Sequence, residues 1–283
     1  MRFAHLQEQL YLTPWYITDT AHATLRLVFE RALASGFDFR ADEGAIAALF
    51  PQRRKMAIDN EGVANIHILG PLGKGLSKME QSCGATSFES VRSDISAAQQ
   101  QGARGILMQF ENAPGGTVLG TPETAKQISA LRPTLPVVAF TEDTMASGAY
   151  YLAAGARAIV ASESSQVGSI GVYMPWVDRS AQLSAQGIKP DPIVNQGGDL
   201  KAMGFTGKLT DAQREFLQAR VDANFADFRD HVTTHRRVDP SAMRGQALRG
   251  KDALAANLVD ALGDISTARA LLMGKINKLS TAA

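Results

Sequence analysis

One serine stands where the sequence changes from a strand pattern to a helix pattern. Residues 137–140 form a short apolar run typical of a buried strand, and residues 149–154 form a helical segment that ends at Gly155. Between them lies A-S-G-A, with Ser147 as its second residue. A hydroxyl placed there has backbone N–H groups and the positive end of a helix dipole beside it, as an oxyanion-forming nucleophile requires. An ordinary N-cap serine occupies the same kind of position, so both roles stay open at this point.

Two glycine-rich segments could supply the rest of a reactive site. The turn A-P-G-G at 113–116 follows an apolar run, and the missing side chains would let a substrate backbone approach free N–H groups. A plain tight turn into a helix explains the same residues. The loop at 196–204 is also rich in glycine and contains one lysine, Lys201.

Strand and helix patterns alternate through the middle of the chain. Strands are predicted at 63–69, 105–110, 137–140, 158–161 and 192–194, and helices follow Ser87 and Val118, span 178–187 and 210–235, and begin again at Ile265. This alternation predicts a layered α/β fold built from βαβ units. Residues 1–50 have mainly helical patterns, including segments after Thr18 or Asp19 and at 45–49.

Composition excludes several classes of partner. The chain has 283 residues, of which 45% are hydrophobic, so it can bury a sizeable core. Its 29 basic and 28 acidic residues give a net charge of +1, which offers no electrostatic reason to expect a nucleic acid or an anionic membrane. No apolar run reaches the roughly 18 residues of a membrane span, and the first 15 residues lack the apolar stretch of a signal peptide. A soluble cytoplasmic protein is expected.

Other nucleophiles and metal sites have weaker support. Cys83 is the single cysteine, which excludes an intrachain disulfide and C-x-x-C metal sites, and it lies in a loop without an identified base. Of the five histidines, His231 and His235 have i,i+4 spacing that would suit zinc, but the sequence places no third ligand. A solvated helix face is therefore the simpler interpretation of the pair, and a Ser-His triad is not expected.

Three segments in this order resemble the signature of the signal peptide peptidase A family of serine peptidases. They are A-P-G-G at 113–116, A-S-G-A-Y-Y at 146–151 and G-S-I-G-V at 168–172. The tail, R-G-K-D-A at 249–253 with L-V-D-A-L-G at 258–263, is similar to the closing segment of that family. Residues 1–60 lie outside the resemblance, and no signal peptide or membrane anchor is evident. The chain therefore looks most like the phage branch, the capsid-maturation (prohead) proteases.

The resemblance implies a ClpP/crotonase-like fold and a Ser-Lys dyad. The nucleophile of the family corresponds to Ser147, and its general base corresponds to Lys201 in G-G-D-L-K-A-M-G. Lys208 and Lys189 are competitors for the role of base. A lysine removes a proton only when neutral, so its pKa must fall by several units from about 10.4 through desolvation. Asp199 must point away, because an ion pair would raise the pKa of Lys201.

Three further positions complete the implied site. The backbone amides of Gly116 and Gly148 correspond to the donors of the oxyanion hole, and Ser169 matches the serine that hydrogen-bonds the lysine amine. No metal or cofactor is required. The implied assembly is a ring-like homo-oligomer, and both a lysine of the same subunit and a lysine of a neighbouring subunit stay open as the partner of the serine.

The expected architecture is a helical N-terminal extension at 1–60 and a ClpP/crotonase-like serine peptidase domain at 61–283. The expected function is a serine endopeptidase that forms an acyl-enzyme and processes phage capsid or scaffold proteins, in the host cytoplasm or in the procapsid. A bacterial signal-peptide or general peptide-degrading peptidase is the alternative within the same chemistry. Two other classes remain: a crotonase-type acyl-CoA enzyme and a non-catalytic assembly or scaffold protein.

Overall fold

A computed structural model describes residues 13–34, 51–203 and 208–281. Clustering of the chain by proximity gives two compact units. The first contains Val172–Asp227, and the second contains Tyr16–Gly171 together with Phe228–Ala283. The helix predicted at 45–49 lies outside the described residues, and the domain boundary predicted at residue 60 stays a prediction.

The described elements alternate between short strands and helices. The strands are β1 (Trp15–Ile17), β2 (Ala57–Ile58), β3 (Val63–Leu69), β4 (Leu72–Gly73), β5 (Thr86–Ser87), β6 (Gly105–Glu111), β7 (Gly115–Thr117), β8 (Val137–Thr141), β9 (Thr144–Ala146), β10 (Ala158–Ala161), β11 (Gln166–Gly168), β12 (Ala247–Arg249) and β13 (Ala261–Leu262). The helices are α1 (Asp19–Ala34), α2 (Lys78–Ser82), α3 (Phe88–Gln100), α4 (Thr121–Ala130), α5 (Gly148–Ala154), α6 (Ser180–Ala185), α7 (Asp211–His235), α8 (Gly250–Ala255) and α9 (Ile265–Ser280), with a 3₁₀ turn at Pro240–Ala242. Among the described residues, no helix is long and apolar enough to cross a membrane.

The centre of the second unit is a six-stranded sheet with the order β13-β10-β8-β6-β3-β2. All neighbouring strands are parallel except β2, which is antiparallel to β3. Parallel strands covered on both faces appear in a sequence as continuous apolar runs, and β6 follows this rule with six of its seven residues buried. The predicted α/β fold with βαβ units is confirmed.

One face of this sheet packs against α9. Ala268, Leu272 and Ile276 recur at helical spacing and form one buried cluster with residues of β3, β6, β8 and β10. Val63 and Leu107 are fully buried members of that cluster on the strand side. The spacing of the apolar residues in α9 therefore identifies the face of the helix that is buried against the sheet.

Two smaller sheets extend from the carboxyl end of the central sheet. One has the order β1-β7-β4-β5, and the other has the order β12-β11-β9. Strand β9 follows β8 after only two residues and pairs in parallel with β11, with Ala146 opposite Gly168. These two sheets bring the glycine turn at 115–116 and the start of α5 to the same end of the fold.

Two helix caps agree with the sequence, and one predicted strand does not form. The Ser87 Oγ accepts a hydrogen bond from the Ser90 amide, as predicted, and Thr210 and Gln213 form a reciprocal capping box at the start of α7. The strand predicted at 192–194 is wrong, since these residues form no strand. Pro192 and the nearby Pro190 each lack an N–H donor, which weakens any pairing of that run.

The buried cluster under α9 predicts the cost of a core truncation. Leu107→Ala should lower the free energy of unfolding by about 2–5 kcal/mol, because Leu107 is fully buried and its removal leaves a cavity. Leu254→Ala is the control, since Leu254 is 37% exposed and its loss should cost about 0.5 kcal/mol or less. Urea denaturation of the two variants measures the difference, and equal losses would place Leu107 outside the core.

Candidate active site

Ser147 lies in a backbone conformation that few residues other than glycine adopt. Its φ is 52° and its ψ is −118°, at the point where β9 ends and α5 begins. Such a conformation costs about 1–3 kcal/mol and persists only where the surrounding structure enforces it. The Ser147 amide donates to the Gly168 carbonyl at 2.6 Å, and the Ser147 carbonyl accepts from the Tyr151 amide at 2.8 Å. Strand β11 and the first turn of α5 therefore hold the serine from both sides.

The hydroxyl of Ser147 is buried and unused. The residue is 0% exposed, its side chain makes no capping bond to α5, and its Oγ has no hydrogen-bond partner among the described residues. An unsatisfied buried hydroxyl costs about 1–3 kcal/mol, so its presence in a folded protein calls for a reason. The N-cap role that the sequence left open is wrong. The strained strand-to-helix turn and the unpartnered hydroxyl match the backbone setting of a nucleophile elbow, here with the serine side chain buried.

Three stretches of backbone meet beside this serine. A Cβ added to Gly115 would lie 2.9 Å from the Gly148 nitrogen, and a Cβ added to Gly148 would lie 3.2 Å from the Gly116 nitrogen. The φ of Gly115 is +108°, which also favours glycine. Gly148 is the first residue of α5, so its amide has no acceptor within the helix. The two predicted oxyanion donors, Gly116 and Gly148, are thus brought together next to Ser147.

Ser169 is fixed in a second strained position. Its φ is 51°, its amide donates to the Gln246 carbonyl at 2.9 Å, and its Oγ donates to the Gly245 carbonyl at 3.0 Å. Because the hydroxyl proton is directed to Gly245, the oxygen keeps its lone pairs for another donor. This arrangement is compatible with accepting a bond from a lysine amine, the role predicted for Ser169.

The candidate bases lie in the first unit. Lys201 is exposed in the loop before residue 204, and its amide donates to the Gly198 carbonyl at 2.9 Å. In the described part of the chain, Lys201 and Asp199 form no ion pair. The backbone carbonyl of Asp199 accepts a hydrogen bond from the side-chain amide of Gln213. Lys189 and Lys208 are also exposed. The pairing of any of these lysines with Ser147 stays a prediction.

The histidines are placed for packing. The His231 ring stacks on Tyr151 with centroids 4.3 Å apart, and its Nε2 lies 2.9 Å from the Tyr151 carbonyl, to which it must donate. His235 Nε2 lies 3.1 Å from the Ser129 Oγ, which already donates to the Ala125 carbonyl. Ser129 must therefore accept from His235, the reverse of a Ser-His nucleophile pair. The prediction of a solvated face is wrong, because both side chains are partly buried.

No metal cluster accompanies these histidines. Within residues 13–34, 51–203 and 208–281, no group of three or more His, Cys, Asp or Glu side chains could hold an ion. Burial, the neighbouring His235 and Arg132 lower the pKa of His231 to about 4. His231 is therefore a neutral packing residue at physiological pH.

The sequence profile of peptidase family S49 matches residues 129–278, just over half of the chain. The chain belongs to peptidase family S49. The predicted membership of the signal peptide peptidase A family is confirmed, and the match includes Ser147, Gly148, Ser169 and Lys201. Gly116 precedes the matched residues, so its place in the site rests on the geometry given above.

Two relatives illustrate the range of this family. A putative protease of Methanocaldococcus jannaschii is 33% identical over 56% of this chain and 52% of the relative. The capsid assembly protease C of Escherichia phage lambda is 27% identical over 75% of this chain and 48% of the relative. The S49 chain spans about half the length of the curated relatives it matches.

Solved structures similar to the S49 chain include a ClpP protease domain and an enoyl-CoA hydratase/isomerase family member. The ClpP catalytic domain of Plasmodium falciparum is 10% identical, with a TM-score of 0.39 over 72% of this chain and 86% of that domain.

Sequence reasoning missed one segment of the site. Tyr16 belongs to β1, and its carbonyl oxygen would lie 2.0 Å from a Cβ at Gly115 and 3.0 Å from one at Gly148. The signal was the run W-Y-I at 15–17, whose aromatic and β-branched residues favour a strand. It stood within a region that the sequence predicted as mainly helical.

The close approach of β7 to β4 predicts the effect of a side chain at position 116. A Cβ there would lie 2.0 Å from the Leu72 carbonyl oxygen, so Gly116→Ala must displace the strand that carries the donor. We expect acylation of Ser147 by an activated ester to slow by about 10²-fold or more. Gly274→Ala is the control, since a Cβ meets nothing within 4 Å at that position. The acylation rate is measured from the burst phase of ester hydrolysis, with variants whose circular dichroism matches that of the wild type. Equal acylation rates in Gly116→Ala and Gly274→Ala would refute the prediction.

The buried His231 predicts a loss of stability in acid. Because its pKa is about 4 in the folded chain and 6.5 ordinarily, the unfolded chain binds the proton first as the pH falls. The stability contributed by the neutral ring is full above pH 6.5 and is lost as the pH falls towards 4. His231→Phe keeps a ring against Tyr151 but does not titrate. Urea denaturation across this range should give a shallower pH dependence for the variant, and identical curves would contradict the assignment.

Proposed function

We propose that this S49 chain is a serine endopeptidase whose nucleophile is Ser147. The observation that carries the proposal is the buried, unpartnered Ser147 hydroxyl on a strained strand-to-helix turn beside Gly116 and Gly148. A hydroxyl that is kept free of internal partners is ready to bond to an external atom. The two adjacent backbone amides would bind the carbonyl oxygen as it becomes an oxyanion.

The proposed reaction proceeds through an acyl-enzyme. The base takes the proton of the Ser147 hydroxyl while Oγ attacks the peptide carbonyl carbon, and the carbonyl oxygen becomes an oxyanion. When the tetrahedral intermediate collapses, the C–N bond breaks and the base returns the proton to the leaving amine. Water then attacks the ester by the same route and regenerates Ser147. No metal or cofactor takes part in these steps.

Lys201 is the proposed base. The residue matches the family lysine, and the free lone pairs of the Ser169 hydroxyl could accept from its amine. A lysine takes a proton from a serine only in its neutral form, which desolvation favours, and Lys201 is exposed in this chain. The dyad therefore requires that substrate or another subunit desolvate the lysine. This requirement supports a homo-oligomer in which active sites are shared between subunits.

The proposed substrates are proteins, and capsid or scaffold proteins are the preferred candidates. The similarity to the capsid assembly protease of phage lambda supports this choice. The similarity to a putative signal peptide peptidase of Enterococcus faecium supports the alternative, a bacterial signal-peptide or general peptide-degrading enzyme. Both alternatives use the same Ser147 chemistry.

Cleavage of unfolded casein and of co-expressed capsid proteins tests the proposal. Ser147→Ala and Lys201→Ala should each lower the rate to background, a loss of about 10³-fold or more, while Lys189→Ala and Lys208→Ala should stay near wild type. If Lys201→Ala still cleaves while Lys208→Ala or Lys189→Ala does not, the role of general base belongs to that other lysine. Retained cleavage in Ser147→Ala would overturn the proposal.

Mixing of inactive variants tests whether subunits share active sites. If the lysine of one subunit serves the serine of another, unfolding and refolding Ser147→Ala together with Lys201→Ala should restore part of the activity. Each variant refolded alone is the control. No recovery in mixed oligomers confirmed by native mass spectrometry would place the dyad within one subunit.

A further inference from the structure

Strand β1 lies outside both the matched family segment and the predicted peptidase domain, yet it borders the site. In the four-stranded sheet, β1 is the neighbour of β7, which carries Gly115 and Gly116. The Thr18 amide, just after β1, donates to the Pro114 carbonyl at 3.0 Å. The glycine turn is thus bonded to a segment almost one hundred residues earlier in the chain.

The backbone of Tyr16 is in contact with both glycine segments. Its carbonyl oxygen would lie 2.0 Å from a Cβ at Gly115 and 3.0 Å from a Cβ at Gly148, and the Tyr16 Cβ would lie 3.3 Å from the latter. A side chain at Gly115 would clash with the Tyr16 carbonyl, and one at Gly148 would be in tight contact with it. The position of the Tyr16 carbonyl therefore limits how the turn and the start of α5 can approach each other.

The side chain of Tyr16 holds this carbonyl in place. The residue is 0% exposed, and its ring lies 5.6 Å from the Tyr151 ring and 5.0 Å from the Phe228 ring, measured between centroids. Tyr151 belongs to α5, one helical turn after Ser147. The aromatic stack therefore joins β1 to the same helix that begins at the nucleophile.

We propose that residues 16–18 are a positioning segment of the oxyanion hole: they fix the Gly116 and Gly148 amides relative to Ser147. The inference rests on the proposed acyl-transfer function and deepens it. Tyr16 and Thr18 touch no reacting atom in this account; they act through the glycine backbones. A modification or partner that displaced this segment would lower acylation and leave Ser147 itself unchanged.

A pair of variants at Thr18 separates the backbone bond from the side chain. Thr18→Pro removes the N–H that bonds Pro114, and Thr18→Ala keeps it. Proline fits just before a helix, and the preceding Ile17 already has the strand conformation that proline requires. We expect kcat of Thr18→Pro to fall by about 10²-fold relative to Thr18→Ala with little change in KM, because misplaced donors weaken the transition state more than the bound substrate.

A second pair controls for loss of packing. Tyr16→Leu and Phe228→Leu each remove one buried ring from the same stack, but only Tyr16 carries the carbonyl at the glycines. At matched losses of melting temperature, Tyr16→Leu should lower kcat further than Phe228→Leu. If kcat is equal within the Thr18 pair and within the Tyr16 and Phe228 pair, the inference is overturned and β1 has only a packing role.

Hydrogen exchange of the peptide covering residues 112–119 gives a readout that does not depend on activity. Exchange should be faster in Thr18→Pro than in Thr18→Ala, since the turn loses its anchor. Faster exchange together with an inactive wild type would show that Thr18 anchors the turn but would reject the proposed function and, with it, the catalytic role of the anchor. Equal exchange in an active wild type would reject the inference alone.

Discussion

The strained backbone at Ser147 is the constraint on which the site depends. A serine with a positive φ is costly, and here the cost is offset by the bond to the Gly168 carbonyl and by the start of α5. The hydroxyl makes no capping bond to the helix that follows it. A serine in the usual N-cap conformation would bond to an α5 amide and would not leave its hydroxyl free for the proposed nucleophilic role.

The surrounding fold supplies what that turn requires. Strand β8 of the central sheet delivers the chain to β9, and β11 beside it presents the Gly168 carbonyl. The segment at 244–246 holds the next residues in turn, because its carbonyls accept from the Ser169 amide and hydroxyl. Gly115 and Gly116 permit backbone contacts that any side chain would prevent, and Gly148 permits a close approach that a side chain would crowd. The site is thus made mainly of backbone, with few side chains.

The sequence could predict the parts that depend on local pattern. Strand β3 at 63–69 and strand β10 at 158–161 agree with the structure at both ends, because apolar runs bounded by glycine or polar residues are local signals. The Ser87 cap and the Thr210 capping box were predictable for the same reason. The assignment of Ser147, Gly116 and Gly148 to the site rests on segment resemblance together with glycine chemistry and stays a prediction.

Features that depend on long-range contact could not be predicted. The run at 15–17 has strand-favouring residues, but its pairing with β7 and its ring stack with Tyr151 and Phe228 join parts of the chain that are far apart in sequence, and no local pattern encodes those contacts. The same holds for the partly buried His231, whose polar ring looks solvent-facing in the sequence. The apolar run at 192–194 shows the opposite case, in which a local strand pattern forms no strand. Its prolines lack the backbone N–H groups that pairing with a neighbouring strand needs.

Covalent labelling with a fluorophosphonate, followed by intact mass and peptide mapping, tests the central claim that Ser147 is an activated nucleophile. The account predicts one adduct per chain, located on Ser147 and lost in Ser147→Ala with the fold unchanged by circular dichroism. An adduct that persists in Ser147→Ala, or a folded wild type that stays unmodified while cleaving protein, would contradict it.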